Sequence, residues 1–198
     1  MGAAQELTDG GFAAWPAVAL VVALALAAGG EVSAQPYFVA GSCRDGAPNG
    51  AYELRMPDGR LRVVGAFAKG RRTGTFLFWA STGARIAVIP YDDDAKIGTV
   101  ALWYAPATRQ GEPRRKLESA YSAGVRHAFT RSWHANGKRR AEYRYERGEL
   151  AAVEAWSESG EPLSEHEARR LAERDAATDA EFYASLERTI AENAPRCD

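Results

Sequence analysis

The residues of this chain whose chemistry could build a site are three histidines, two cysteines, a run of three aspartates and two basic clusters. His127 and His134 stand seven apart in strand-like sequence, which puts them on opposite sides by parity, and His166 opens a helix-like segment. None of these falls into a metal-ligand spacing, and the cysteines are far apart in sequence. Asp92-Asp93-Asp94 lacks the spacing of a calcium loop and reads as a hairpin turn. No serine sits in a nucleophile elbow and no glycine-rich loop is placed to cradle phosphate. The expectation is a protein that is not an enzyme and holds no metal or cofactor. What is left is binding chemistry. Arg114-Arg115-Lys116 and Arg139-Arg140 begin strand-like runs. Arg109, Arg114 and Arg115 are the candidate partner-binding residues, in and beside a loop over 105–114. A solvated or tail-facing basic surface is the bland reading of such clusters; an anionic lipid headgroup or glycan is the sharper one.

The elements that must position these residues fall into three segments. Residues 1–34 contain the apolar, uncharged run Phe12 to Gly30, followed by Val32-Ser33-Ala34, whose small residues suit signal peptidase. This predicts an export signal and a periplasmic or extracellular location. The alternative is a membrane anchor formed by residues 12–30, since Glu6 and Asp9 stand where a signal is normally basic and the run is near the lower limit for a span. In an oxidising compartment Cys43 and Cys197 would form one disulfide tying together the two ends of the mature chain; the alternative is two unrelated thiols. The formal net charge of -1 argues against a nucleic-acid partner. Charge is nevertheless uneven: residues 35–156 carry 20 bases and 12 acids, and residues 157–198 carry 5 bases and 11 acids.

Residues 35–163 repeat. A step of 24 brings Gly50, Gly74 and Gly98 into register, Gly59 onto Gly83, Trp79 onto Trp103 and Phe67 onto Tyr91. A step of 30 takes Trp103 to Trp133 and Tyr91 to Tyr121, and a further 24 takes Tyr121 to Tyr145. The extra six residues fall within Ala105 to Arg114, where two prolines and a glycine oppose regular structure. Each unit holds two short apolar runs and two turns, among them Asp58-Gly59 and Asn136-Gly137, in which both central residues are expected at positive φ. This predicts a mainly β fold: an antiparallel meander of hairpins with a 24-residue period, about nine strands from Ala51 to Trp156 in a single elongated sheet. Phe67, Tyr91, Tyr121 and Tyr145 share one face with Val63, Ala87, Leu117 and Ala141; the opposite face reads Val64, Val88, Glu118, Glu142. Trp79, Trp103 and Trp133 form a second aromatic column, expected to pack within the repeat core.

Phe67-Ala-Lys-Gly70-Arg-Arg-Thr-Gly74-Thr-Phe76-Leu-Phe78-Trp79 and Trp133-His-Ala-Asn136-Gly137-Lys138 resemble the bacterial variant of the MORN repeat family, over roughly residues 50 to 163. Asp94, Ala128 and Ala152 depart from its glycine positions. Many bacterial members are antitoxin components of the YwqK type. The resemblance implies a binding or scaffolding module. The leading expectation is a non-catalytic exported scaffold that meets a protein or envelope partner. An antitoxin-like inhibitor of a toxin is the alternative, with membrane contact only through an uncleaved N-terminal segment.

Residues 164–198 change pattern. Ser164-x-x-Glu167 and Thr178-x-x-Glu181 each read as a capping box, which predicts two helices, Ser164 to Ala177 and Asp179 to Asn193. Phe182, Leu186 and Ile190, with Tyr183 beside them, form an apolar stripe expected to pack on the sheet, aided by the opposite charge of the two segments. A helix that binds a partner is the alternative.

Overall fold

In the computed structural model, which describes residues 37–106 and 111–197, the glycine-bounded apolar runs form strands that pair in chain order. They are β1 (Phe38–Arg44), β2 (Ala47–Arg55), β3 (Leu61–Ala68), β4 (Arg71–Trp79), β5 (Arg85–Asp92), the two-residue β6 (Ala95–Lys96), β7 (Gly98–Tyr104), β8 (Arg114–Ser122), β9 (Val125–Trp133), β10 (Arg139–Glu146) and β11 (Glu149–Ala155). All pair antiparallel in one open sheet, in which β5 pairs with both β6 and β7. The pairing starts earlier than expected, because β1 and the first half of β2 precede Ala51. The expected leader over 1–34 and Arg109 lie outside the described residues.

Two kinds of turn alternate, and their chemistry is the reverse of the sequence expectation. At Asp58-Gly59 and Asn136-Gly137 only the glycine has positive φ. There the Gly59 and Gly137 amides donate to Met56 O and His134 O, closing a tight turn whose last residue is left-handed. Turns with both central residues at positive φ are the other set: Asp45-Gly46, Lys69-Gly70, Asp93-Asp94, Ala123-Gly124 and Arg147-Gly148.

Left-handed residues also occur within or at the start of strands, at Gly50, Gly74, Gly98 and Ala128. Ala128, at φ 59°, bears the steric cost that the glycines escape, and its side chain is exposed. Ala128→Gly is therefore expected to stabilise the protein by about 0.5–1 kcal/mol, after the larger chain entropy of an unfolded glycine is set against the relief. Urea unfolding of the two proteins measures it; an unchanged midpoint would show that the alanine is not strained.

A bulge recurs in four hairpins. Leu54 pairs with Val63 and Arg55 with Leu61, so Arg62 is extra. Ile86, Lys116 and Arg140 are extra in the same way. Such a bulge re-aims side chains. It also sets Trp79, Trp103 and Trp133 opposite Arg85, Arg115 and Arg139.

One face of the sheet is the core. Along it run Leu54, Val63, Phe78, Ala87, Leu102 and Leu117, all buried, and the Phe67–Tyr91–Tyr121–Tyr145 column lies on the same side. Over this face lies α1 (Glu165–Glu192). Its first half packs Ala168, Leu171 and Ala172 with Ala141, Tyr143, Tyr145 and Ala155, and its second half packs Tyr183, Leu186 and Ile190 with the aromatic cluster of β2 to β8. The helix thus crosses the strands from the last back to the first. Its 28 residues make it about 42 Å long, close to the ~43 Å width of ten paired strands.

The two expected helices are one. Ser164 forms its capping box with Glu167. Thr178, expected as a second cap, is an interior residue whose hydroxyl donates to Arg174 O at 2.9 Å. No glycine or proline interrupts the segment, and burial resumes beyond Thr178 at Asp179 on the same helix. The apolar stripe is centred on Tyr183, and Phe182 is only half-buried.

Beyond Asn193 the chain returns to β1. Tyr52 Oη donates to Asn193 O at 3.1 Å, and burial pushes the Tyr52 phenol up to about 12. Pro195 lies so close to Gly41 that a Cβ there would come within 2.5 Å of its ring. Cys43 and Cys197 form the disulfide, with Cα atoms 5.7 Å apart.

Candidate functional site

The face opposite α1 is covered by no element among the described residues. Strand alternation and the bulges decide what it presents. Across its centre the paired positions read Val64, Leu77, Val88, Ala101, Glu118, Arg131, Glu142, Glu154, apolar toward β3 and charged toward β11. Toward the end that carries the Asp58-Gly59 and Asn136-Gly137 turns, the tryptophans and arginines alternate. The Trp103 ring is held between two guanidinium groups, Arg85 at 4.9 Å and Arg115 at 4.8 Å from its centroid. Arg139 stacks over Trp133 at 5.4 Å, and Arg131 over Phe129 at 4.6 Å. All three tryptophans are half-buried. The expectation that they pack within the core is overturned: residues 78, 102 and 132 take the buried positions, and alternation sends their tryptophan neighbours outward.

Arg115, expected at a partner site, belongs to this array and also bonds Glu118. Arg114 donates to Ala135 O at 2.9 Å at the sheet's end. The carboxylates of Asp93 and Asp94 pair with Arg71 and Arg72. His127 lines a shallow depression of the open face over β9–β11, whereas His134 lies on the helix side. Arg139, from the second basic cluster, belongs to the array, and so does Arg85, which lies outside both clusters. Their signal is the spacing: 85, 115 and 139 follow the steps of 30 and 24 that relate Tyr91, Tyr121 and Tyr145.

On the covered face, charge rather than surface availability governs. Three acids of α1 meet bases of the sheet. Arg140 bonds Asp175 at 2.5 Å, with Tyr143 Oη donating to the same oxygen at 2.9 Å. Arg126 bonds Asp179 at 2.8 Å and the Tyr145 hydroxyl at 3.1 Å. Glu187 accepts from Lys96 at 2.7 Å and pairs with Arg72 at 3.4 Å. Burial pushes the Asp179 carboxyl above its ordinary value despite the Arg126 charge. Burial acts the same way on Glu187, but the Lys96 hydrogen bond and the charges of Lys96 and Arg72 outweigh it and hold the group below its ordinary value.

A scan against protein-family models finds no match, and no curated protein matches the chain. Among the described residues no helix is long and apolar enough to cross a membrane.

Among the described residues a polar seam interrupts the apolar face of the sheet. At β8 and β9 the inward residues become Ser119, Thr130 and Ser132, all buried, and this seam lies where the two apolar clusters part. The Ser119 and Thr130 hydroxyls bond each other at 2.5 Å. Ser132 Oγ has no hydrogen-bonding partner among the described residues, a state that costs about 1–3 kcal/mol when nothing satisfies it. Beside it, between the sheet and α1, is a cavity of about 360 Å³.

Proposed function

We propose that the protein is a non-catalytic, exported scaffold whose open sheet face binds a protein partner. The Arg85–Trp103–Arg115 stack carries this reading. Trp and Arg are the residues that most often anchor protein interfaces, and here stacking holds them in place before any partner arrives, which reduces the ordering cost of association. An apolar centre bordered by charged positions has the composition of such an interface. The Cys43–Cys197 disulfide fits an oxidising compartment, which supports export. The left-handed residues at 50, 74, 98 and 128, and the bulges at 62, 86, 116 and 140, recur at the same steps as the aromatic columns. This recurrence supports the 24-residue unit and with it the MORN-like reading.

Affinity capture from the envelope and secreted fractions of the producing cells tests the proposal. Trp103→Ala with Arg115→Ala is expected to weaken retention of the captured protein by about 30-fold, the ~2 kcal/mol of an interface anchor. Arg109, Arg114 and Arg115 changed together to Ala are expected to weaken it less. Retention undiminished by the first variant would exclude the open face. Retention of glycan or anionic vesicles in place of protein would change the class of partner.

A further inference from the structure

We infer that the cavity between α1 and strands β7–β10 is a binding site for a small zwitterion of the free α-amino acid class. The cavity lies on the covered side of the sheet and is independent of the open-face reading. Its floor includes Ser132, 4% exposed, whose hydroxyl lacks a partner among the described residues and lines the cavity. A donor and acceptor kept at this depth beside open volume is the mark of a site made for a polar guest.

The charges around it decide which guest. Arg140 is engaged by Asp175, and Asp179 by Arg126. Two charged lining residues form no ion pair among the described residues: Lys116, whose charge also acts on Asp179, and Glu158, exposed at the cavity's rim. One unpaired charge of each sign suits a molecule that carries both. A phosphate would meet three lining carboxylates, Glu158, Asp175 and Asp179, and a singly charged cation would leave Lys116 without a counter-charge from the guest. Lys116 reaches the cavity because it is the bulged residue of its hairpin, with its ammonium 5.5 Å from the Phe182 ring on α1. The volume falls at the small end of ligand pockets, which suits a single amino acid.

Calorimetric titration of the intact chain with a panel of standard α-amino acids tests this, with acetate and methylammonium as singly charged controls. At least one amino acid is expected to bind saturably and more tightly than either control. Lys116→Gln and Glu158→Gln should each weaken that binding by about tenfold, the value of one charge-assisted contact. Ser132→Ala should weaken it by a smaller factor, with circular dichroism confirming the fold. Trp103→Ala, on the other face, should leave binding unchanged. No saturable binding by any amino acid, or binding of acetate as tight as that of the best amino acid, would overturn the assignment.

Discussion

Replacing Cys43 and Cys197 by serine is expected to lower the unfolding free energy by about 3–5 kcal/mol. The bond joins residues 154 apart in sequence, so its removal releases almost the whole folded chain from one closed loop. The native side of the balance adds to this. The segment after Asn193 is held to β1 and β2 by the disulfide, by the Tyr52 hydroxyl and by the fit of Pro195 against Gly41. Without the covalent tie the other two contacts must restrain a chain end by themselves. Urea unfolding of the oxidised protein, the same protein in reductant and the double serine variant makes the measurement. A difference below about 1 kcal/mol would show that the docking of α1 already restrains the tail and that the bond adds little.

Arg126→Ala carries the second large effect, a loss of about 3–5 kcal/mol at neutral pH. The guanidinium bonds Asp179 and the Tyr145 hydroxyl, and its Nε donates to the Tyr121 hydroxyl at 3.3 Å. Both members of the Arg126–Asp179 pair are largely screened from water, with side chains 13% and 6% exposed. Truncation leaves the carboxylate buried and alone. The pH dependence identifies the mechanism. Burial already raises the folded pKa of Asp179 above its unfolded value, so the native state binds the proton more tightly, and stability falls as pH rises from the unfolded pKa through the folded one. Removing Arg126 deletes the charge that opposed the rise. The window widens upward, and the variant's deficit should be smaller near pH 4.5 than near pH 7.5. Glu187 has the opposite sign: its lowered pKa supplies stability that is present above its unfolded value and lost as pH falls through the folded one. A deficit for Arg126→Ala that does not change with pH would mean lost packing, not a stranded carboxylate.

The meander, the inward face of Phe67, Tyr91 and Tyr145 and the docking of the tail could all be read from residue spacing, because each rests on a period and on apolar character. The tryptophans were misplaced because hydrophobicity alone says that indole belongs inside. Parity with Phe78 and Leu102, which are smaller but fully buried, says otherwise. The second helix is not formed: Thr178-x-x-Glu181 satisfies a capping pattern, yet packing on the sheet at both ends, with no glycine or proline between, favours one rod. The salt bridges to α1 have a signal finer than the opposite net charge of the two segments. Arg72, Lys96 and Arg126 are spaced by 24 and 30 residues and form a basic column at one end of the sheet, facing acids at 179 and 187. The cavity had none, since Ser132, Lys116 and Glu158 come from three separate stretches and only the bulge and the helix crossing bring them together.

A helix that spans its sheet from the last strand to the first acts as a ruler. Arrays of hairpins can in principle lengthen by duplication, each new unit sheltering beneath the next. Here one more unit would add two strands and widen the sheet by about 10 Å. The rod would then stop short, and Cys197 would fall beyond reach of Cys43, whose Cα lies only 5.7 Å away. The tail therefore sets how many hairpins this chain can hold, and growth of the array would require a matching insertion of two turns in the helix.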